Sequence, residues 1–235
     1  MEERKKNIFV VGLDPFNLRL LKSVRRADRY AFHGLLSYDE VAAARTFDVE
    51  MLLDKARSRL RDFGGSVDAI VGYWDFPTIL MMPILRREFG LPGPSLESVL
   101  RTEHKYWSRL EQKKVVPEEV PEFELVDPFA ENAADRIGLD YPFWIKPVKA
   151  HSSLLGFRIT SRDELDHAIT EIRKGIHRFA DPLDTIMGYA ELPDEIRGVG
   201  GRHCVAEAII SRGRQCTLEG FAFRGEVQIY GIIDS

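Results

Sequence analysis

"FWIKPVKAHSSLLGFRI", residues 143–159, opens as a short apolar strand, sets Lys146 directly before Pro147, breaks at His151-Ser152-Ser153 and Gly156, and turns apolar again. A lysine inside a run that seeks burial needs an anion beside it or a route to water, because desolvating an unpaired ammonium is costly. One reading is a lysine that snorkels at a sheet edge, its ammonium reaching solvent. The other takes its cue from the bend. A polar, glycine-bearing turn between two antiparallel strands offers backbone N–H groups and two hydroxyls, a nest of donors suited to phosphate. On this stretch alone both readings stand.

Upstream, residues 1–95 alternate between strand and helix patterns. "NIFVV" (7–11) is a continuous apolar run of the kind buried on both faces. Asp14-Pro15 is an N-cap and first-turn pair opening a helix with Phe16, Leu20, Leu21 and Val24 on one side. "YAFHGLL" (30–36) and "VDAIVGY" (67–73) read as further strands. Helices are predicted over 49–63, with Leu53, Ala56, Leu60 and Phe63 in one stripe, and over 75–90, bent or begun late by Pro83. This rhythm predicts a Rossmann-like parallel sheet covered on both faces. "LPGPS" (91–95) is a break, with Ser95 capping a helix that carries "HKYWSRLEQ" (104–112). Beyond it the style changes to antiparallel α+β. An extended segment with two prolines runs to Val126, and a short helical stretch lies near 129–136. The quoted hairpin follows, and a capping box at Ser161–Glu164 opens a helix with Leu165, Ala168, Ile169, Ile172 and Ile176 inward. Residues 178–202 read as irregular, and three strands follow within 203–233, the last two joined at Arg224-Gly225. The predicted division is 1–95 and 96–235.

The chain has 235 residues, 44% hydrophobic and 30% charged, enough for a sizeable core. Lys+Arg 33 against Asp+Glu 37 gives a net charge of −4, so nothing general argues for nucleic acid and no such partner is expected; Arg25-Arg26 and Arg57, Arg59 and Arg61 read as solvated helix faces. No apolar run reaches the roughly 18 residues of a membrane span, and "MEERKKN" leads straight into a strand, so the expected location is the cytoplasm. Cys204 and Cys216 form neither CxxC nor a zinc pattern and are expected as two buried thiols.

Two further elements join the lysine strand. In "VAEAII" (205–210) Glu207 interrupts an apolar strand; the strand end beyond it offers a backbone C=O at Ala208 and an N–H at Ile210, a donor–acceptor pair that matches adenine. A glutamate at the sheet rim is the plainer account. "HKYWSR" (104–109) places Lys105 on a helix just after the break, by itself an ordinary exposed lysine. GxxxxGK[ST] does not occur, and the first strand carries Gly12 without GxGxxG, so a dinucleotide-dependent oxidoreductase reading of residues 1–95 is poorly supported.

In this order the elements resemble the ATP-grasp superfamily, of the carboxylate–amine ligase type that includes biotin carboxylase and carbamoyl phosphate synthetase. "GLPGPSLESVLRTEHKYWSRL" resembles that family's passage into its nucleotide-binding unit. "YPFWIKPVKAHSSLLGFRITSRDEL" is similar to its apolar-Lys-Pro strand and serine/glycine loop, and "VAEAIISRGRQCTLEGFAFRGEV" to its hinge strand and following hairpin. The likeness covers residues from about 67 to 235. It implies a pre-ATP-grasp domain followed by an ATP-grasp subdomain and part of a second. It further implies that Lys105 and Lys146 hold the α- and β-phosphates of ATP. The bend of Ser152, Ser153, Leu154 and Gly156 would close over them as a lid. Glu207, Ala208, Ile209 and Ile210 would read adenine, and Gln215 would meet the ribose where the family often has Glu or His.

The implied chemistry is activation of a small carboxylate as an acyl phosphate, for attack by an amine or similar nucleophile. Mg²⁺ is implied as well, its carboxylate ligands expected beyond residue 235, because Glu219, Glu226 and Asp234 come too soon after Glu207. No metal ligand and no catalytic base is assigned. The chain is therefore expected to be truncated inside the second half of the nucleotide unit, and by itself to lack turnover and to bind nucleotide weakly at most. Its last two strands would present open edges that invite a homodimer. The competing reading is a non-catalytic nucleotide-binding or interaction module. Tyr73-Trp74-Asp75 and Asp14 are weaker candidates for substrate contact, at strand C-terminal ends.

Overall fold

The computed structural model describes residues 4–210, 213 and 215–234. Strand β1 (Lys6–Leu13) lies between β2 (Tyr30–Ser37) and β3 (Ala69–Gly72), both parallel to it, in the order β2-β1-β3. Val10 and Val11 are fully buried at its centre, as a continuous apolar run requires. Pairing with β2 slips on either side of Val11, and Gly12 turns left-handed at φ 71°. A Cβ there would lie 2.5 Å from Trp74 Cδ1, so the strand end closes on an indole that only glycine admits.

Four helices flank this sheet: α1 (Pro15–Ser23), α2 (Tyr38–Val41), α3 (Val49–Arg61) and α4 (Thr78–Glu88). Asp14 caps α1 as expected, accepting from Asn17 N–H, yet α1 buries no residue and Phe16 is 58% exposed. The apolar side of α1 faces outward, contrary to the stripe expected of it. Helix α3 does bury its stripe, with Leu52, Leu53, Ala56 and Leu60 inside. Helix α4 begins late, at Thr78, with Pro83 accommodated inside it. Of the arginines of α3, Arg59 and Arg61 are exposed as expected, though Arg59 also donates to Leu35 C=O, while Arg57 is half-buried and pairs with Glu88 at 2.7 Å.

Ser95 caps α5 (Leu96–Glu103), but the single helix expected there is two. The chain breaks at an extended His104, whose ring accepts from Trp107 N–H, and resumes as α6 (Lys105–Val115). A second sheet follows, from β4 (Phe123–Val126), β5 (Phe143–Pro147), β6 (Phe157–Ile159) and β7 (Cys204–Ala208). Its order is β4-β7-β5-β6 and every pairing is antiparallel. Between β4 and β5 the expected helical stretch shrinks to a 3-10 turn over Ala133–Arg136. Helix α7 (Arg162–Gly175) lays Leu165, Ala168, Ile169 and Ile172 on Phe143, Ile145, Ile159 and Ala206. Ser161 caps α7, but only half of the expected box forms: the Glu164 carboxylate accepts from Thr160 N–H at 2.7 Å instead.

The stretch expected to be irregular contains α8 (His177–Met187). It starts on Ile176, which also ends α7, has no side-chain cap, and holds Pro182 in its middle, so the usual helix signals are missing. Packing supplies what local propensity does not. Phe179, Leu183 and Ile186 enter the first core beside Leu53, Phe76, Leu100 and Val148, so that core runs from the parallel sheet into the later helices. Finally β8 (Cys216–Phe223) and β9 (Glu226–Asp234) form an antiparallel pair turning at Arg224-Gly225. Among the described residues this pair joins neither sheet, and it exposes Leu218, Phe223, Val227, Tyr230 and Ile232. Cys204 is buried as expected, its thiol pushed far up by desolvation, but Cys216 is exposed.

Candidate functional site

The lysine strand resolves by alternation. Phe143, Ile145 and Pro147 are buried on one face of β5, and Trp144 and Lys146 stand on the other. Trp144 lies opposite Glu207 of β7, which brings the diagonal Lys146 onto that carboxylate. Lys146 Nζ donates to Glu207 Oε2 at 2.6 Å, while Arg109 of α6 donates from Nε to Oε1 at 2.9 Å and from Nη2 to Oε2 at 3.3 Å. Glu207 is only 5% exposed. Burial pulls its carboxyl upward, and the hydrogen bonds and charges of Lys146 and Arg109 outweigh that and hold it below the ordinary range.

Lys105 reaches the same place from the first residue of α6. Its backbone N–H donates to Val148 C=O at 2.8 Å and its ammonium to Ala150 C=O at 3.0 Å. Desolvation lowers its pKa to about 8, with Lys149 and Lys146 adding to the fall. Lys105, Lys146, Trp144, Ala150, Ser153, Leu154 and Gly156 line one cavity of about 400 Å³. Of the residues singled out in the sequence, the cavity wall thus gathers Lys105, Lys146, Ser153, Leu154 and Gly156, and Glu207 joins them through its ion pair. The loop that closes it is bent by Ser152, Ser153 and Leu155, all left-handed at φ 53°, 56° and 57°. Ser152 turns aside, its hydroxyl 3.1 Å from His151 Nδ1. Ala208 donates its N–H to Glu122 C=O at 2.9 Å, Ile209 is half-buried, and Ile210 and Gln215 are exposed. None of these lines that cavity.

A second cavity, of about 470 Å³, opens at the C-terminal end of β3 between Tyr73, Trp74, Asp75, Glu103 and Lys149, and Lys105 lines it too. Tyr73 and Trp74 are partly committed: Tyr73 Oη donates within reach of Gly12 C=O (3.0 Å) and Asp14 Oδ2 (3.1 Å), and Trp74 Nε1 to Gly12 C=O at 2.8 Å. Three contributors went unassigned in the sequence: Arg109, Glu103 and Lys149. Arg109 sits four residues after Lys105 on one helix face, and Lys149 three after Lys146 between two apolar residues; those spacings were the available signals. His104 and His151 are engaged in contacts within the fold. His104 Nε2 lies 3.1 Å from Val199 C=O, and burial drives its pKa down to about 4, so the ring is neutral. His151 sets its edge on the Phe179 ring, centroids 5.2 Å apart.

What the cavity can do follows from charge. Lys105 and Lys146 line the cavity, and Lys146 shares the one carboxylate of Glu207 with Arg109, so an anionic ligand is favoured there, and Arg109 keeps Glu207 paired if Lys146 turns to that ligand. The described residues do not fit a divalent cation. No cluster of three or more His, Cys, Asp or Glu occurs among them, and Glu207, Asp75 and Glu103 are each ion-paired to a lysine. No helix among them is long and apolar enough to cross a membrane.

No protein-family model and no curated protein sequence matches the chain. Solved structures do. The L-amino acid ligase of Bacillus licheniformis superposes with a TM-score of 0.63 at 18% identity, over 98% of this chain and 50% of that one. D-alanyl-alanine synthetase A of Vibrio cholerae gives 0.60 at 11% identity, over 99% and 68%. A RimK domain protein, an ATP-grasp of Sphaerobacter thermophilus, gives 0.56 at 14% identity, over 96% and 71%. The fold is that of the ATP-grasp ligases, a parallel sheet followed by an antiparallel one with helices. The chain spans about half the length of the L-amino acid ligase it matches.

Proposed function

We propose that this chain binds ATP in the cavity between Lys105, Lys146 and the 152–156 loop, as the nucleotide-binding part of an ATP-dependent ligase. The observation that carries the reading is the convergence of two ammonium groups from separate elements, α6 and β5, on one cavity closed by a serine-bearing loop. In this reading the lysines neutralise the phosphates and Glu207, braced by Arg109, keeps Lys146 in place between ligands. Ala208, Ile209, Ile210 and Gln215 are proposed for the base and ribose; only Ala208 and Ile209 are sheltered from solvent. Transfer of the terminal phosphoryl group to a carboxylate oxygen would turn a poor electrophile into an acyl phosphate, and a nucleophile such as an amine would then displace phosphate. The contribution of these side chains is positioning and charge neutralisation. The second cavity, sharing Lys105, is where that carboxylate would lie.

The reading is tested by ATP-dependent thermal stabilisation. A ligand at a hundred times its Kd adds about 2.7 kcal/mol to stability. Lys146→Ala is expected to abolish the shift while leaving the fold intact. An unchanged shift would leave Lys146 as the ion-pair partner of Glu207 alone and favour the interaction-module alternative.

A further inference from the structure

The nucleotide reading uses Lys105 and Lys146 and leaves out a third lysine, which is 4% exposed. Lys149 Nζ donates to Glu103, the last residue of α5, and to Asp75 Oδ1, just beyond β3, at 3.1 Å, and it lies 5.5 Å from the centre of the Phe76 ring. It thereby ties the base of the 152–156 loop to two elements of the first core. As stabilisation alone this is a poor device, since an apolar side chain of the same size would avoid desolvating the charges. Its placement has another consequence. The carbonyls on either side of it, Val148 and Ala150, are the two that Lys105 grips, one with its backbone N–H and one with its ammonium. Glu103, which grips Lys149, lies two residues before Lys105.

We propose that Lys149 is a positioning residue: its clasp on Glu103 and Asp75 pins the 148–150 segment against the start of α6 and so fixes where the Lys105 ammonium stands. This rests on the nucleotide reading and adds to it a part for each member of the clasp. The charged groups facing Lys105 are Lys149 and Lys146, which push its proton off, and Glu103 and Asp75, which hold it on; His104, His151 and Cys204 also lie within electrostatic reach. Removing a cation or an anion from the clasp therefore moves the titration of Lys105 in opposite directions, which loosened packing would not do.

The test is calorimetric titration of the whole chain with ATP between neutral and alkaline pH, for the wild type, Lys149→Met, Lys149→Arg and Asp75→Asn. The wild type should lose affinity as pH rises through about 8, where the Lys105 ammonium discharges. Lys149→Met should bind about tenfold more weakly at neutral pH, the usual scale for losing a supporting contact, and its alkaline midpoint should rise. Lys149→Arg should recover most of the affinity. Asp75→Asn, which keeps the Glu103 arm and guards against loss of fold in the methionine variant, should lower the midpoint. A Lys149→Met protein with wild-type affinity and midpoint, or midpoints that move the same way in Lys149→Met and Asp75→Asn, would overturn the clasp and leave nucleotide binding standing. A wild type that binds no ATP would overturn the nucleotide reading and the clasp with it.

Discussion

His104 ends one helix and begins the next, and it does so as a neutral ring. Its Nδ1 accepts from Trp107 N–H, and the proton therefore sits on Nε2, facing Val199 C=O. Burial holds its folded pKa at about 4, below the ordinary 6.5, so the unfolded chain binds more protons between those values. Stability should therefore fall as pH drops from 6.5 to 4, by on the order of 3 kcal/mol. Asparagine at the same position can still cap α6 but has no proton to take up; denaturant titrations of His104→Asn should show that acid-side loss removed, and a wild-type pH dependence in the variant would refute it. Single residues also show what the sequence made legible. Lys146 stood out because its strand wanted burial, and Lys105 through its place after the break. The ion pairs around them did not stand out: Lys149 meets Glu103 across 46 positions and Arg109 meets Glu207 across 98, and no local pattern records such pairings.

Elements were legible where the code is local and illegible where packing decides. The caps at Asp14, Ser95 and Ser161, the parallel strands, and the hairpin around the quoted loop all follow from residues close in sequence. Helix α8 does not, since neither a capping side chain nor an uninterrupted interior marks it; burial of Phe179, Leu183 and Ile186 maintains it. Helix α1 shows the reverse case, a regular apolar stripe with no core to enter. The two helices should respond differently to substitution. Phe16→Ser on α1 should change unfolding free energy by no more than about 0.5 kcal/mol, whereas Leu53→Ala on α3 should cost about 3 kcal/mol. Comparable losses in both would mean that α1 is covered in solution.

Across the whole molecule, two cavities meet at Lys105, one on the antiparallel sheet and one at the end of the parallel sheet. In the proposed nucleotide reading, that arrangement would let a single ammonium neutralise a phosphate and stand beside the group to be activated. The exposed β8–β9 pair makes a separate demand. Its exposed apolar residues, with edges that no other strand among the described residues covers, should drive concentration-dependent self-association, which sedimentation should detect and which Val227→Lys with Ile232→Lys should suppress. A monodisperse wild type across the concentration range would contradict this. The central claim, that both ammonium groups face one nucleotide, is most directly tested by acetylating the chain with and without ATP and reading each lysine by mass spectrometry. Lys105 and Lys146 should become protected together, with the same dependence on ATP concentration; protection of one alone, or of neither, would contradict the claim.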